Sequence, residues 1–338
     1  PFIVGIDAAG AEMATAPREL HPCYRLVLRH DRKQSANPGL PPVQLGRTCH
    51  AGEDFRDLLT GLRYVDEAVM HLDLRAGDRI GHGIAIALSP AEWYARRPNV
   101  HPLLRDHVLD LLWGRFLAQN LDQNSPMGSD AALDNILRMH LERVIREADG
   151  FEHRIDDVVH RFNDCNAFPS EKSILSYLGL DSRQSTIAVP VDNAWIGLVT
   201  RLRTMVISRF LRSEVVIEVC PTSNLLIGGF HSYARHPYLN LNHAHLPDGP
   251  ADDPQLPLSI NTDDPGTFRT TIANEYRLLG EALVRAGHRR RNIAQWLEEA
   301  RRVGVESTFI PRWSPPTRPE LLYWLSSWLW VDGNESRS

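Results

Sequence analysis

Several things are scarce in this chain of 338 residues. Cysteine occurs four times, at Cys23, Cys49, Cys165 and Cys220, and no two stand in a CxxC spacing. That argues against a cysteine zinc site and fits reduced thiols in a cytoplasmic protein. Lysine is nearly absent: arginine supplies almost all of the 37 basic residues, a bias that GC-rich coding explains without a function. The formal net charge of -5 and a pI near 6.3 give no electrostatic case for nucleic acid or an anionic membrane. There is no apolar run long enough to span a bilayer and no signal-peptide pattern. No internal repeat is visible, and low complexity is confined to the polar tail Asn334–Ser338. An initiator methionine is also missing. Pro1-Phe2-Ile3-Val4-Gly5-Ile6 reads as a strand already under way, so the expectation is the C-terminal part of a longer protein.

What is present is ordinary for a soluble globular protein: 43% hydrophobic and 23% charged residues, in a length that allows one barrel or two medium domains. Phe2 to Ile6 and Val43 to Cys49 read as strands, with a polar, proline-rich loop over 30–42. Asp54 to His71 has helical periodicity, with Phe55, Leu58, Leu59, Leu62, Val65, Ala68 and Val69 on one broad face and Asp54 as cap. Gly77-Asp78 ends it, and Arg79-Ile80 begins a short strand. Strand, helix, strand at this spacing is a βαβ unit, which favours a parallel sheet. From Ile84 to Ser213 helical patterns dominate, around Leu103–Asn120, Ala131–Ala148 and Ala194–Leu211. That is too long for a βα connection and reads as a helical insertion. Val215 to Val219 and Leu258 to Asn261 resume the strands. Thr267–Ala286, Arg291–Val303 and Pro319–Trp330 then read as amphipathic helices. The expected division is 1–83, barrel strands; 84–213, insertion; 214–310, barrel strands and helices; and 311–338, C-terminal helix and tail.

Four motifs stand where apolar, β-prone runs stop. They are His50-Ala51-Gly52-Glu53, Arg79-Ile80-Gly81-His82-Gly83, Glu218-Val219-Cys220-Pro221-Thr222-Ser223-Asn224 and Ser259-Ile260-Asn261-Thr262-Asp263-Asp264-Pro265. In a (β/α)8 barrel, chemistry is done at that rim. A neutral His50 at a strand end can ligate zinc while Glu53 reaches toward the same cavity, although a strand-end histidine and a helix-start glutamate also occur without function. Gly81 and Gly83 leave His82 sterically unshielded, able to act as a base partner or simply to sit in a turn. Asp263 and Asp264 diverge, so one can bind metal while the other meets a substrate; the plain alternative is an Asp-rich turn. Ser223 and Asn224 either hydrogen-bond neighbouring groups or serve the next helix, the structural role being the expectation. His243-Ala244-His245 and Asp252-Asp253-Pro254 lie in loop-like stretches and read as loops.

In this order, the four motifs resemble the adenosine and AMP deaminase family, in the form HAGE, RIGHG, E-x-CP-x-SN and S-x-NTDDP, over roughly residues 1–85 and 213–310. The resemblance implies an α/β (β/α)8 TIM barrel of the metal-dependent hydrolase type, here its strands four to eight. It also implies zinc-dependent hydrolytic deamination of an adenine nucleoside or nucleotide: adenosine, deoxyadenosine, AMP or ATP. On this resemblance His50 and Asp263 are zinc ligands and Glu53 shuttles a proton to purine N1. His82 orients and polarises zinc-bound hydroxide, and Asp264 helps position the water and contacts the purine. Gly10 matches the family's substrate-backing glycine, and His236-Pro237 a His-Pro after the seventh strand. The family's N-terminal His-x-His on strand one, which supplies two further zinc ligands, has no counterpart here. The long insertion resembles that of divergent deaminases of bacterial anti-phage systems, such as the RADAR-type subunit, which implies antiviral defence and a homo-oligomer or larger assembly. The partners expected are thus a small adenine-bearing molecule and other copies, with no nucleic acid and no membrane. The rival expectations are another amidohydrolase-type hydrolysis on the same barrel and a catalytically inactive scaffold subunit.

Overall fold

The computed structural model describes residues 4–35, 45–120, 130–180, 185–227, 230, 232–246 and 255–309. Its strands are β1 (Gly5–Ala8), β2 (Gly46–Ala51), β3 (Arg79–His82), β4 (Asn99–Val100), β5 (Val189–Pro190), β6 (Val216–Val219) and β7 (Leu258–Ile260). Five of them form one parallel sheet in the order β1-β2-β3-β6-β7, with β4 and β5 paired antiparallel apart from it. Parallel strands in sequence order, joined through helices, are the winding of a (β/α)8 barrel, and the chain holds part of one.

Alternation along each strand sorts the two faces. The registers Asp7↔Thr48, Thr48↔Arg79, His50↔Gly81, Gly81↔Glu218 and Glu218↔Ser259 put a polar row on one face. The other face carries Ile6, Cys49, Ile80, Ile217, Leu258 and Ile260, which join the core. On the polar face Arg79 pairs with Glu218 at 3.1 Å, and Thr48 donates to Glu218 at 3.3 Å. Phe309 sits beneath, its ring 4.2 Å from the Arg79 guanidinium.

The helix Leu58–His71 carries the expected apolar stripe, yet nearly all of it is buried, polar positions included. Helices Leu104–Gln119 and Asn193–Ser213, which lie between β3 and β6, cover the side that a barrel helix usually gives to water. Its buried charges are therefore paired. Arg63 reaches Asp110 at 2.7 Å, Glu171 at 2.6 Å and Glu67 at 3.3 Å. Asp66 accepts from Trp113 at 2.8 Å and from Arg209 at 2.8 and 2.9 Å. Thr60 donates to Asp110 at 2.6 Å. Burial lifts the Asp110 carboxyl to about 7 against the pull of Arg63.

Several element boundaries differ from expectation for local reasons. The first strand lies at Gly5–Ala8 rather than Phe2–Ile6, and residues 1–3 are outside the described residues. The stretch 30–35 belongs to a helix, Pro17–Ser35, whose last turn carries Arg32 and Lys33 where cations favour the helix dipole. The N-cap position of helix Leu58–His71 is Asp57, not Asp54; Asp57 has extended backbone, and its carboxylate accepts from the Tyr94 hydroxyl at 2.6 Å rather than capping the helix. The helix expected over 267–286 is two: Arg269, with φ 49°, ends Pro265–Phe268, and Thr271 caps Ile272–Arg285. Pro319–Trp330 and the tail lie outside the described residues. Among the described residues no helix is long and apolar enough to cross a membrane.

Replacing Arg63 with alanine is expected to lower the unfolding free energy by about 3–5 kcal/mol, because Asp110 would be left buried without its cation and Glu67 with Arg18 alone, 3.8 Å away. Urea denaturation checks this, and a loss under about 1 kcal/mol would show that the network is not what holds these helices to the sheet.

Candidate active site

The strand ends bring four of the residues singled out in the sequence into one cluster. His50 leaves β2 on the polar face, and its ring lies across β3 because residue 81 is glycine: a Cβ there would come within 2.5 Å of the His50 ring. His50 Nε2 stands 3.6 Å from Asp7 at the end of β1, and the His50 and His82 rings meet edge-on at 4.8 Å. His82 closes β3 with φ 64°, and Asp263 follows β7 with φ 57°, a left-handed backbone uncommon outside glycine. Such strain gathers at functional sites, where the surroundings hold it in place. Here it turns His82 toward Glu53, with Nδ1 to Oε1 at 3.2 Å, and toward Asp263, with Nε2 to Oδ2 at 3.8 Å.

Two residues given only a structural expectation fasten the cluster. Ser223 donates to Asp263 Oδ2 at 2.7 Å. The buried Asn224 amide lies 3.0 Å from both Glu53 Oε1 and His82 Nδ1. These contacts fix a tautomer. Burial and the neighbouring His50 pull the His82 imidazole down to about 4, so it is neutral near pH 7. With the Asn224 N–H aimed at Nδ1, that nitrogen accepts and the ring proton sits on Nε2, facing Asp263. Burial raises the Glu53 carboxyl to about 7, with Asp263 and Asp54 adding to the rise and the Asn224 amide opposing it. Half-protonated near neutrality, Glu53 can give a proton or take one.

Glu12 was not singled out in the sequence. It is buried, and its carboxylate accepts the backbone N–H groups of Gly52 at 2.6 Å and of Glu53 at 3.1 Å. Burial lifts it to about 7 as well. The signal was present, an acid a few residues past a short strand, but nothing in the spacing distinguishes a turn-holding acid from a solvated one.

Asp264 is not gathered in. It is exposed, and its carboxylate accepts from Gly266 N at 2.9 Å, Thr267 N at 3.2 Å and Thr267 Oγ1 at 2.5 Å, which holds its pKa below the usual carboxylate range. The structure places it as a helix cap, a short distance along the chain from the cluster rather than in it. Gly10 has φ 138° and opens toward free space, with nothing within 4 Å of where a Cβ would stand. His236 is buried and stacked on Tyr238 at 4.8 Å. His243 bonds to Gln255 rather than converging with the exposed His245.

For zinc the donor chemistry is incomplete. His50 and Asp263 are suitable ligand types on one rim, but among the described residues no three His, Cys, Asp or Glu side chains stand close enough to hold a metal ion. The residues present do not by themselves make a zinc site.

With this geometry in view, the comparisons with known proteins are specific. Residues 200–314 match the family model of adenosine deaminase. That segment contains β6, β7, Ser223, Asn224, Asp263 and Asp264. An adenine deaminase of Rhizobium leguminosarum bv. trifolii (strain WSM2304) is 36% identical over 76 residues, which is 22% of this chain and 20% of that protein. An adenosine deaminase of Plasmodium gallinaceum is 37% identical over 68 residues, 20% of this chain and 16% of that protein. An adenine deaminase of Sinorhizobium medicae (strain WSM419) is 28% identical over 119 residues, 35% and 31% of the two chains. The chain thus spans between 16% and 31% of the length of these curated relatives.

The Glu53 carboxyl is expected to titrate near 7, and Asn224→Ala to move it higher, since the lost amide hydrogen bond favours the ionised form. Side-chain carboxyl NMR shifts followed against pH check both. A Glu53 that titrates near 4 in the parent, or moves down in the variant, contradicts this picture of the cluster.

Proposed function

We propose that the chain is part of a (β/α)8-barrel aminohydrolase that deaminates a 6-aminopurine by hydrolysis at C6, acting on an adenine nucleoside or nucleotide. The observation that carries this is the convergence of Glu53, His82, Asn224 and Asp263 at the strand ends, with Glu53 poised near neutrality. The match over 200–314 and relatives named adenine and adenosine deaminase support the same reading.

The chemistry asked of these residues is definite. Attack of water at C6 breaks the ring's aromaticity and pushes charge onto N1. The Glu53 carboxyl donates a proton to N1, so no ring anion has to form; the C6–N bond then breaks, the amino group leaving as ammonia with one proton of the attacking water while the other returns to Glu53. Asn224 holds Glu53 and His82 in one orientation through the two 3.0 Å contacts. His82 stays neutral and keeps its Nε2 proton directed at Asp263. Glu12 anchors the backbone from which Glu53 projects. Zinc, when bound, supplies an acidified water whose pKa falls from 15.7 toward roughly 7. In this proposal His50 and Asp263 would be two of its ligands.

The reading extends to the rest of the molecule. The stretch 84–213 is a helical insertion dividing two runs of barrel strands. Its length supports a place among the divergent, RADAR-type deaminases of anti-phage defence, as a subunit of a homo-oligomer in the cytoplasm. Asp264 is proposed to reach the purine only after release from its capping role.

Glu53→Gln in the full-length protein should cut turnover of adenosine or its nucleotides by about 10²–10⁴-fold, because the amide keeps the shape but cannot deliver the proton. Elemental analysis should find zinc retained, which separates lost chemistry from lost folding. Near-normal turnover in the variant would remove Glu53 from its role. No turnover by the parent protein of any adenine compound would favour the scaffold alternative.

A further inference from the structure

Beside the cluster lies a cavity of about 740 Å³ that shares Glu53 with it. That volume is within the range of small-molecule sites. Three stretches far apart in sequence build its walls: the turn after β2, the chain just beyond β3, and the segment after β6. Each contributes an arginine, respectively Arg56, Arg97 and Arg235, and each an aromatic ring, Phe55, Trp93 and Phe230.

Among the described residues some arginines have carboxylate partners and others have none. Arginines such as Arg18, Arg63, Arg115 and Arg302 are paired with carboxylates. Among the described residues Arg56, Arg97 and Arg235 make no ion pair, although Asp54 and Glu92 line the same cavity. Arg97 is instead laid over the Trp93 ring, 4.3 Å from its centroid, and hydrogen-bonds the Trp93 carbonyl. A guanidinium held against an aromatic face presents its remaining N–H groups to an acceptor. Trp93 in turn lies against Phe55, with ring centroids 6.2 Å apart. Three exposed guanidiniums that make no ion pair among the described residues thus line one cavity with Glu53, Asp54 and Glu92, and they are placed to meet an anion carried by a ligand. Phosphate matches the arginine fork in geometry and charge.

We propose that this cavity is a phosphate-reading part of the substrate site, taking a phosphorylated 6-aminopurine nucleoside with its base toward Glu53 and its phosphate on Arg56, Arg97 and Arg235. The identity of the base rests on the deaminase reading; the phosphate subsite does not. The stretch 84–97 thereby gains a function, because it builds the cavity wall that carries Trp93 and Arg97.

The test is calorimetric titration of the full-length protein with adenosine, AMP and ribose 5-phosphate. AMP is expected to bind at least about tenfold more tightly than adenosine, and ribose 5-phosphate to compete with it. One charge-assisted hydrogen bond contributes about tenfold or more. Arg97→Gln should therefore lower the AMP-to-adenosine affinity ratio by about that factor, Arg97→Gln with Arg235→Gln should lower it further, and Arg97→Lys should restore part. The ratio should also fall as salt rises, since only the phosphate arm is screened. Thermal melts of each variant guard against misfolding. Equal affinity for AMP and adenosine, a ratio unmoved by the substitutions, or binding of adenosine alone would overturn the proposal. Arginine-dependent binding of ribose 5-phosphate without binding of AMP or adenosine would uphold the anion subsite and overturn the choice of base. Binding of none of the three would overturn the proposal entirely.

Discussion

The Arg63 guanidinium is the charge on which the junction between the sheet and the helices after β3 depends. In an ordinary barrel the outward side of helix Leu58–His71 would be wet, and Arg63, Asp66 and Glu67 would be solvated. Here that side is covered, so each buried charge needs a partner from the covering layer, and Asp110, Glu171, Trp113 and Arg209 supply them. A buried ion pair contributes little net stability against an apolar replacement, but removing one partner is costly. The network therefore acts mainly on specificity, allowing one seating of the helical layer on the barrel. Trp93 and Arg97 border the cavity that Glu53 also lines.

A second constraint acts at the strand ends. Parallel registers place His50, Gly81, Glu218 and Ser259 side by side, so the segments that follow each strand emerge at one rim. Two of those emerging residues, His82 and Asp263, adopt left-handed backbone at a cost of order 1–3 kcal/mol each. The hydrogen bonds from Asn224 to His82 and from Ser223 to Asp263 offset that cost. Strain, capping and hydrogen bonds thus converge on one arrangement of imidazole and carboxyls rather than on stability for its own sake.

Much of this was legible in the sequence because it follows periodicity and strand ends. The apolar runs place β2, β3, β6 and β7 within a few residues, and the motifs at their ends put His50, Glu53, His82 and Asp263 in reach of one another. What was not legible depends on partners distant in the chain. Arg63 and Asp66 look like a solvated helix face until Asp110 and Arg209 are known to cover them. Arg56, Arg97 and Arg235 seem evenly spread along the chain and meet only through the fold. Asn224 and Glu12 are ordinary polar residues whose positions are decided by a turn more than forty residues away or by another strand. Asp264 illustrates the converse: its spacing invites a role in the cluster, yet two backbone N–H groups and the Thr267 hydroxyl claim its carboxylate first.

The same local competition explains why Glu53 keeps its proton up to about pH 7 and Asp264 does not. A carboxylate that accepts several hydrogen bonds in the open is stabilised in its charged form, and Asp264 is held acidic by its helix turn. Glu53 is enclosed, with one amide donor and two neighbouring acids, so its neutral form is favoured until about pH 7. Glu12 sharpens the difference. By accepting the Gly52 and Glu53 backbone N–H groups, it takes up donors that could otherwise have bonded the Glu53 side chain or water, while its own burial keeps a second charge from forming readily beside Glu53. Two buried acids near one turn do not ionise together at low cost, so a proton near this turn is retained at neutrality, beside the cavity that Glu53 lines.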